Sequence, residues 1–370
     1  MRFGFGQVHA AAATDIGLRR AVNEDSVLEA GTVFAVADGM GGHEAGDLAS
    51  RLGIETLNEI AAGAADSART PGDTAENTAE NTAENLAALP HARDVLGTVT
   101  RADARIRKAI GSRGGTTLCA LALVRVEEDG GAWPGEPAGD PAGMPVTEAL
   151  HLPLPPLGEP RYLDSTHESG DGDGAPGNPP EPEPTTDVLP RAQALAVPAA
   201  PAGAAAMSLG GTAARPAPIP GAGDAVADGE PDPVRLMLLN VGDSRGYRMR
   251  EGVLTQLTRD HSAVQELIDG GIITEAEARI HPQRNLITRA LGAGGNSVPD
   301  TQFHRPRPGD RYLLCTDGLT GEVEHAAMEA ILAATPDRTE AVGRLIDAAL
   351  ASGGRDNISV VIIDIEAPGT

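Results

Sequence analysis

Aspartate recurs in this chain at the ends of strand-like runs. Asp25 precedes the run Ser26 to Glu29, Asp38 follows Thr32 to Ala37, Asp243 follows Leu236 to Val241, Asp317 follows Tyr312 to Thr316, and Asp356 precedes Ile358 to Ile365. If the first two runs form a hairpin turning at Gly31-Thr32, Asp25 faces Asp38. In antiparallel neighbours the end of one strand and the start of the next share an edge, so all five carboxylates can converge. Converging acids raise one another's pKa and destabilise a fold unless something neutralises them, and a hard divalent cation is the usual neutraliser. The segment Gly39-Met40-Gly41-Gly42 suits this, because glycine lets backbone carbonyls approach an ion closely. An all-oxygen donor set without a His or Cys cluster points to Mg2+ or Mn2+ rather than Zn2+. Two such ions can generate hydroxide and clamp an in-line displacement at phosphorus. A lone Asp at a strand end is ordinarily a turn former or N-cap, and Asp15 and Asp310 are assigned to that class.

The elements that must position these acids are strands grouped with strands and helices with helices. Two short strands lead through the glycine-rich turn into a helix over Ala45 to Ala61, where Leu48, Leu52, Ile54, Leu57 and Ile60 share one face. A second helix is expected over Arg93 to Ile110 and a strand over Thr116 to Val126. Beyond Val234, strands at Arg235 to Val241, Gly246 to Arg250, Val253 to Leu257, Arg311 to Thr316 and Ile358 to Ile365 accompany helices near Ala263 to Ile268, His325 to Ala334 and Glu340 to Ala351. Such grouping favours α+β with antiparallel sheets over a doubly wound parallel fold. No P-loop or dinucleotide fingerprint is present.

Two stretches interrupt this order. Residues 63–90 carry Thr-Ala-Glu-Asn three times between Thr74 and Asn85, too short a period for a solenoid, and are expected to form a short polar loop. Residues 129–233 are rich in Pro, Gly and Ala without periodicity and are expected to be a long disordered acidic insertion. The runs flanking it are expected to be neighbours in one sheet, so residues 8–365 read as a single interrupted domain.

The net charge of −24 argues against nucleic-acid binding, which needs Lys and Arg against phosphates. Between Glu127 and Pro233 lie 18 acidic and 3 basic residues, so most of that charge belongs to one stretch. With 41% hydrophobic but only 2% aromatic residues, the core must be aliphatic. Cys119 and Cys315 sit in apolar runs and suit buried reduced thiols in a cytoplasmic protein. No signal-peptide-like start and no run of about 20 apolar residues is present, so no membrane association is expected.

Taken in order, seven segments carry a resemblance: Arg20 to Asp25, Asp38 to Gly42, Gly115 to Thr117, Gly242 to Arg245, Asp260 to Ser262, Cys315 to Leu319 and Asp356 to Ser359. They resemble the PPM/PP2C family of protein serine/threonine phosphatases in its bacterial form. The resemblance implies an α-β-β-α sandwich of two central antiparallel sheets flanked by helices. It implies a centre of two, or with a third site three, Mn2+ or Mg2+ ions, with no organic cofactor. On that basis Asp38 bridges both ions and Gly39 offers its carbonyl. Asp317 and Asp356 complete one site, Asp25 acts on the other through water with Glu24 as a second candidate, and Asp243 with Asp317 holds the third ion. Arg20 resembles the family's phosphate-binding arginine, with a solvated partner of the acidic rim as the alternative reading. The segment Asp269 to Gly294 resembles the mobile flap of bacterial members.

The implied activity is hydrolysis of phosphoserine and phosphothreonine in proteins by metal-activated water, in a monomer acting on substrates of Ser/Thr kinases. One departure concerns the proton donor: animal members often place His where this chain has Met40. His43, His281 and water are the alternatives. A PPM phosphatase dedicated to a sigma-factor regulatory partner and an inactive PPM-fold binding module stand as the rival readings.

Overall fold

In a computed structural model of the chain, residues 2–3, 5–41, 43–67, 85–111, 113–125 and 233–368 are described. Strands β3 (Asp25–Ala30) and β4 (Val33–Met40) form a hairpin in the register expected from its turn, with Asp25 opposite Asp38 and Ala30 opposite Val33. Its turn passes through Gly31 at φ 65°, a left-handed conformation that glycine adopts at little cost. On its other edge β4 pairs with β6 (Leu118–Arg125), and the short β5 (Gly115–Thr116) pairs with the end of β4 at Gly39 and Met40. Next come β7 (Val234–Val241) and β10 (Asp300–His304), giving the order β10-β7-β6-β4-β3.

The second sheet has the order β1-β2-β12-β11-β8-β9. Its members are β1 (Arg2–Phe3), β2 (Gly6–Asp15), β8 (Arg245–Arg250), β9 (Val253–Gln256), β11 (Arg311–Cys315) and β12 (Ile358–Glu366). Every strand pair in both sheets is antiparallel. The sheets face each other through an aliphatic core: Phe34, Val36, Leu121 and Leu238 of the first meet Tyr312, Leu314, Val361 and Ile363 of the second. Each such side chain contributes roughly 1.5–3 kcal/mol on burial.

Helices cover the outer faces. Helix α1 (His43–Ser67) lies on β3 and β4, and α2 (Ala92–Ile110) lies on α1. In α2 the buried Val95, Val99, Ala102, Ile106 and Ile110 form one stripe at helical spacing. Four further helices follow: α3 (Ala263–Asp269), α4 (Glu275–Ala278), α5 (Asp317–Thr320) and α6 (His325–Ala334). Helix α7 (Arg338–Ser352) joins α6 on the second sheet, where Leu332, Val342 and Leu345 meet Leu313, Val360 and Ile362. The architecture is the α+β sandwich of two antiparallel sheets expected from the sequence.

Several details differ. The polar loop assigned to residues 63–90 is shorter at both ends, because α1 continues to Ser67 and residues 85–88 are helical; residues 68–84 lie outside the described part. Of the insertion assigned to 129–233, all but residue 233 lies outside it as well. Strands β2 and β10 were not expected. The centre of β2 is Ala10 to Ala13, with poor intrinsic strand preference, and pairing with Ile363 to Val360 of β12 imposes the extended form. The run Thr116 to Val126 divides into β5 and β6 at Thr117, whose amide turns to Asp38 O. Both cysteines are free and buried, as expected, and burial pushes the Cys315 thiol up to about 12.

Candidate metal centre

The rim where the acids gather is built by strand register. Asp25 opens β3 and Asp38 lies opposite it near the end of β4. Asp38 is fixed by Thr117, whose hydroxyl accepts the Asp38 amide at 3.0 Å and stands 2.7 Å from Ser244 Oγ, beside Asp243. In the facing sheet Cys315 pairs with both Val360 and Arg245, so Asp317 just after β11, Asp356 just before β12 and Asp243 just before β8 belong to the same edge. Gly39 could not be replaced without collision: its position is closed by the backbone of Glu24 and Gly46.

Two polar side chains, Thr316 just after β11 and Ser359 in β12, reach across to the first sheet. Thr316 Oγ1 donates to Asp25 Oδ2 at 2.9 Å, and Ser359 Oγ lies 2.8 Å from the same oxygen. Asn357 locks the intervening loops: its Oδ1 accepts the Glu24 amide at 2.9 Å, while its Nδ2 donates to Ile16 O and Val22 O, each at 3.0 Å. Glu322, following α5, accepts Arg355 N at 3.0 Å and Arg355 Nε at 2.8 Å on one oxygen and Nη2 at 3.0 Å on the other. That clamp holds the loop carrying Asp356.

The electrostatics follow from burying like charges together. Burial, with a smaller repulsion from Asp317 and Asp356, raises Asp25 to about 7 against the opposing hydrogen bonds from Ser359 and Thr316. Burial and then Asp356 raise Asp317 to about 6, while the Asp38 side chain bonds to it and opposes the rise. Asp38 and Asp243 are pushed well above the ordinary carboxylate range, first by burial and then by their acidic neighbours. Asp25 Oδ1 and Asp243 Oδ1 are buried with no hydrogen-bond partner among the described residues.

Among the described residues, no three His, Cys, Asp or Glu side chains close into a ready ligand cage. Among the described residues, the rim acids are partnered by Arg20 and the Asn357 amide on Asp356, by Thr316 and Ser359 on Asp25, and by Asp38 and Asp317 on each other. The donor chemistry nonetheless fits a hard cation: all oxygen, strongly self-repelling, with two buried carboxylate oxygens unsatisfied.

Of the other residues singled out from sequence, Arg20 stands on the rim with Nη2 2.6 Å from Asp356 Oδ2, both side chains partly exposed. Met40 ends β4. His43 opens α1, but its side chain lies outside the described part. His281 is half-buried and its Nδ1 accepts the Gln283 amide at 3.2 Å. Asp15 makes the expected local turn, accepting the Gly17 amide at 2.7 Å. Asp310 departs from its assignment as a simple turn residue: it is buried at the far end of the strands, where Arg250 grips it with two hydrogen bonds of 2.6 and 2.7 Å. No role had been assigned to Thr117, Ser244, Thr316, Glu322, Asn357 or Ser359. The available signal was a hydroxyl or amide interrupting apolar strand runs, as in Ile358-Ser359-Val360.

No family model matches the chain. The serine/threonine protein phosphatase PstP of Mycobacterium tuberculosis is 48% identical over 132 residues, 35% of this chain and 25% of PstP. The serine/threonine phosphatase Stp of Listeria innocua is 42% identical over 130 residues, 35% of this chain and 52% of Stp. The chain therefore spans at most about half the length of these curated relatives. The solved catalytic domain of PstP, in complex with two manganese ions, superposes with a TM-score of 0.53 and 28% identity over 97% of this chain and 98% of that one. In its two facing antiparallel sheets, and in sequence over about a third of its length, the chain is similar to these bacterial serine/threonine phosphatases.

Proposed function

We propose that this chain is a protein phosphatase that removes phosphate from serine and threonine side chains, using Mn2+ or Mg2+ held by Asp25, Asp38, the Gly39 carbonyl, Asp317 and Asp356, with Asp243 and Asp317 at a third position. The observation that carries the proposal is the gathering of five aspartates at one edge of the sandwich, with buried oxygens of Asp25 and Asp243 unpartnered. The manganese in the PstP catalytic domain supports the choice of ion. A cation pair, when bound, supplies an acidified water and neutralises charge on phosphoryl oxygens.

The chain's own residues do the rest. Arg20 offers a planar fork to two phosphate oxygens, and its partly exposed pairing with Asp356 is cheap to exchange, worth roughly 0–1 kcal/mol. Thr316 and Ser359 fix Asp25 so that its second oxygen, Oδ1, is the one left for the centre. Departure of the serine or threonine oxygen needs a proton. Because His281 Nδ1 accepts the Gln283 amide, a neutral His281 carries its proton on Nε2; His43 and water are the other donors in play. Substrates are phosphoproteins made by Ser/Thr kinases, and the buried free thiols support a cytoplasmic setting.

Hydrolysis of p-nitrophenyl phosphate and of a phosphothreonine peptide with Mn2+, Mg2+ or EDTA tests the proposal. Turnover should depend on the metal, and Asp38→Asn should lose it by about a hundredfold or more while staying folded. A folded wild-type protein without metal-dependent turnover would overturn the phosphatase reading.

A further inference from the structure

Beside the aspartates lies one buried imidazole that joins three parts of the chain. The His261 amide donates to Gly242 O at 2.9 Å, and the Gly242 amide donates back to His261 Nδ1 at 3.1 Å. Gly242 is thus held at both its polar atoms, at φ 106° and against Thr117, immediately before Asp243. The His261 carbonyl accepts the Thr288 amide at 2.8 Å. On the far side of the ring, Nε2 lies 3.1 Å from Asp300 Oδ2, and Asp300 Oδ1 accepts Arg289 Nη1 at 2.7 Å.

The tautomer follows from these contacts. Since Nδ1 accepts from Gly242, a neutral ring carries its proton on Nε2, which lies close to Asp300 Oδ2 but outside hydrogen-bond geometry, so the contact is a charge pair when the ring is protonated. Only 6% of the side chain is exposed, so the ring has no room to turn independently of Gly242 and Asp300. Thr288 and Arg289 belong to the segment 269–294, whose end is also fixed by Leu291 pairing with Thr116 and by the Gly292 amide on Asp103. The outer part of that segment is unlike its base: Ile272 and Ile280 are 69% and 82% exposed, and Arg279 and Arg284 stand in solvent.

We propose that His261 is a positioning residue that couples the 269–294 segment to the Gly242-Asp243 loop, so that a divalent ion bound at Asp243 restrains the segment. The coupling rests on the metal centre proposed above. It runs from Asp243 through the Gly242 backbone, the imidazole and Asp300 to Arg289, and through the His261 carbonyl to Thr288. A buried histidine that only held the fold would lower stability when replaced but would leave the response of the segment to metal unchanged.

Limited trypsin digestion of the full chain, read by mass spectrometry at Arg279 and Arg284 with Mn2+ or EDTA, separates the two roles. In wild type, Mn2+ should slow cleavage at these arginines by about fivefold or more, the lower end of ordinary coupling between sites. His261→Asn keeps an acceptor for the Gly242 amide but cannot reach Asp300, and should cut that protection to less than about twofold. Asp300→Asn, at the more exposed end of the relay, should do the same and serves if the His261 variant fails to fold. Asp243→Asn should abolish the Mn2+ effect and leave cleavage in EDTA unchanged. Undiminished protection in His261→Asn or Asp300→Asn overturns the coupling. Calorimetry separates the failures: wild type that binds Mn2+ but gains no protection refutes the coupling alone, whereas wild type that binds no Mn2+ refutes the centre with it.

Discussion

A carboxylate buried beside other carboxylates needs partners, and on this rim Asp25 and Asp356 have them on opposite terms. Asp25 has two hydroxyls on one oxygen and nothing on the other, while Asp356 has Arg20. In the proposed phosphate contact the type of residue 20 matters, because a lysine presents a point charge where the Arg20 guanidinium presents two aligned donors. Arg20→Lys should raise KM for a phosphothreonine peptide by about tenfold with a smaller change in kcat, in steady-state assays at saturating Mn2+. Glu322 acts one step further back. Its side chain is 3% exposed and binds both the backbone and the guanidinium of Arg355, the neighbour of Asp356. Glu322→Gln retains one acceptor but loses the charge, and should weaken Mn2+ binding by about tenfold in calorimetry while leaving the far-UV spectrum unchanged. Unaltered affinity would mean that the Asp356 loop is set by other contacts.

At the scale of elements, what was legible in the sequence is what local chemistry decides. The β3–β4 hairpin could be written to the residue because the turn at Gly31-Thr32 fixes which residues face each other. Helix α6 and most of α2 follow from apolar spacing. Strand β2 was hidden because four alanines favour no strand, and its form comes from β12, which lies over 340 residues away in the chain. The five acids could be placed on one edge from strand ends alone, but their supporting hydroxyls and Glu322 depend on contacts between sheets that no local pattern encodes. The pairing of β6 with β7 has an engineering consequence. Arg125 and Val234 are register partners, so the chain leaves and re-enters the sheet at adjacent strands, as a hairpin would. Replacing residues 128–231 by a two-residue Asn-Gly turn should give a folded protein with metal-dependent turnover within about threefold of the full chain and a melting temperature changed by a few degrees at most. Aggregation, or loss of the cooperative melt, would show that the excised residues are needed for folding.

Across the whole molecule the two ends of the sandwich treat charge in opposite ways. At the end remote from the aspartate rim, Asp310 is gripped by Arg250, and Asp364 by Arg311 and Arg338. At the rim, Arg245 is spent on Asp260 and Arg20 on Asp356, and among the described residues no ion pair reaches Asp25, Asp38, Asp243 or Asp317. Stability without metal should therefore depend on pH in the sense opposite to that of an ordinary salt-bridged carboxylate. Asp25 is raised from 3.8 to about 7 and Asp317 to about 6, so the folded state binds these protons more tightly than the unfolded chain. Their contribution is fully present below about pH 4 and is lost as pH climbs through 6 and 7. Half-buried His304, lowered from 6.5 to about 4 by desolvation and by Arg248 and Arg250, works the other way but chiefly below pH 6.5. From pH 6 to 8 in EDTA the Asp25 proton alone should cost about 1 kcal/mol, lowering the melting temperature by roughly 2–4 °C. At the proposed centre Mn2+ would bind the deprotonated acids, so its stabilising effect should grow over the same interval. Differential scanning fluorimetry at pH 6, 7 and 8, with EDTA and with Mn2+, measures both trends, and Asp25→Asn should flatten the EDTA curve because the asparagine has no proton to lose.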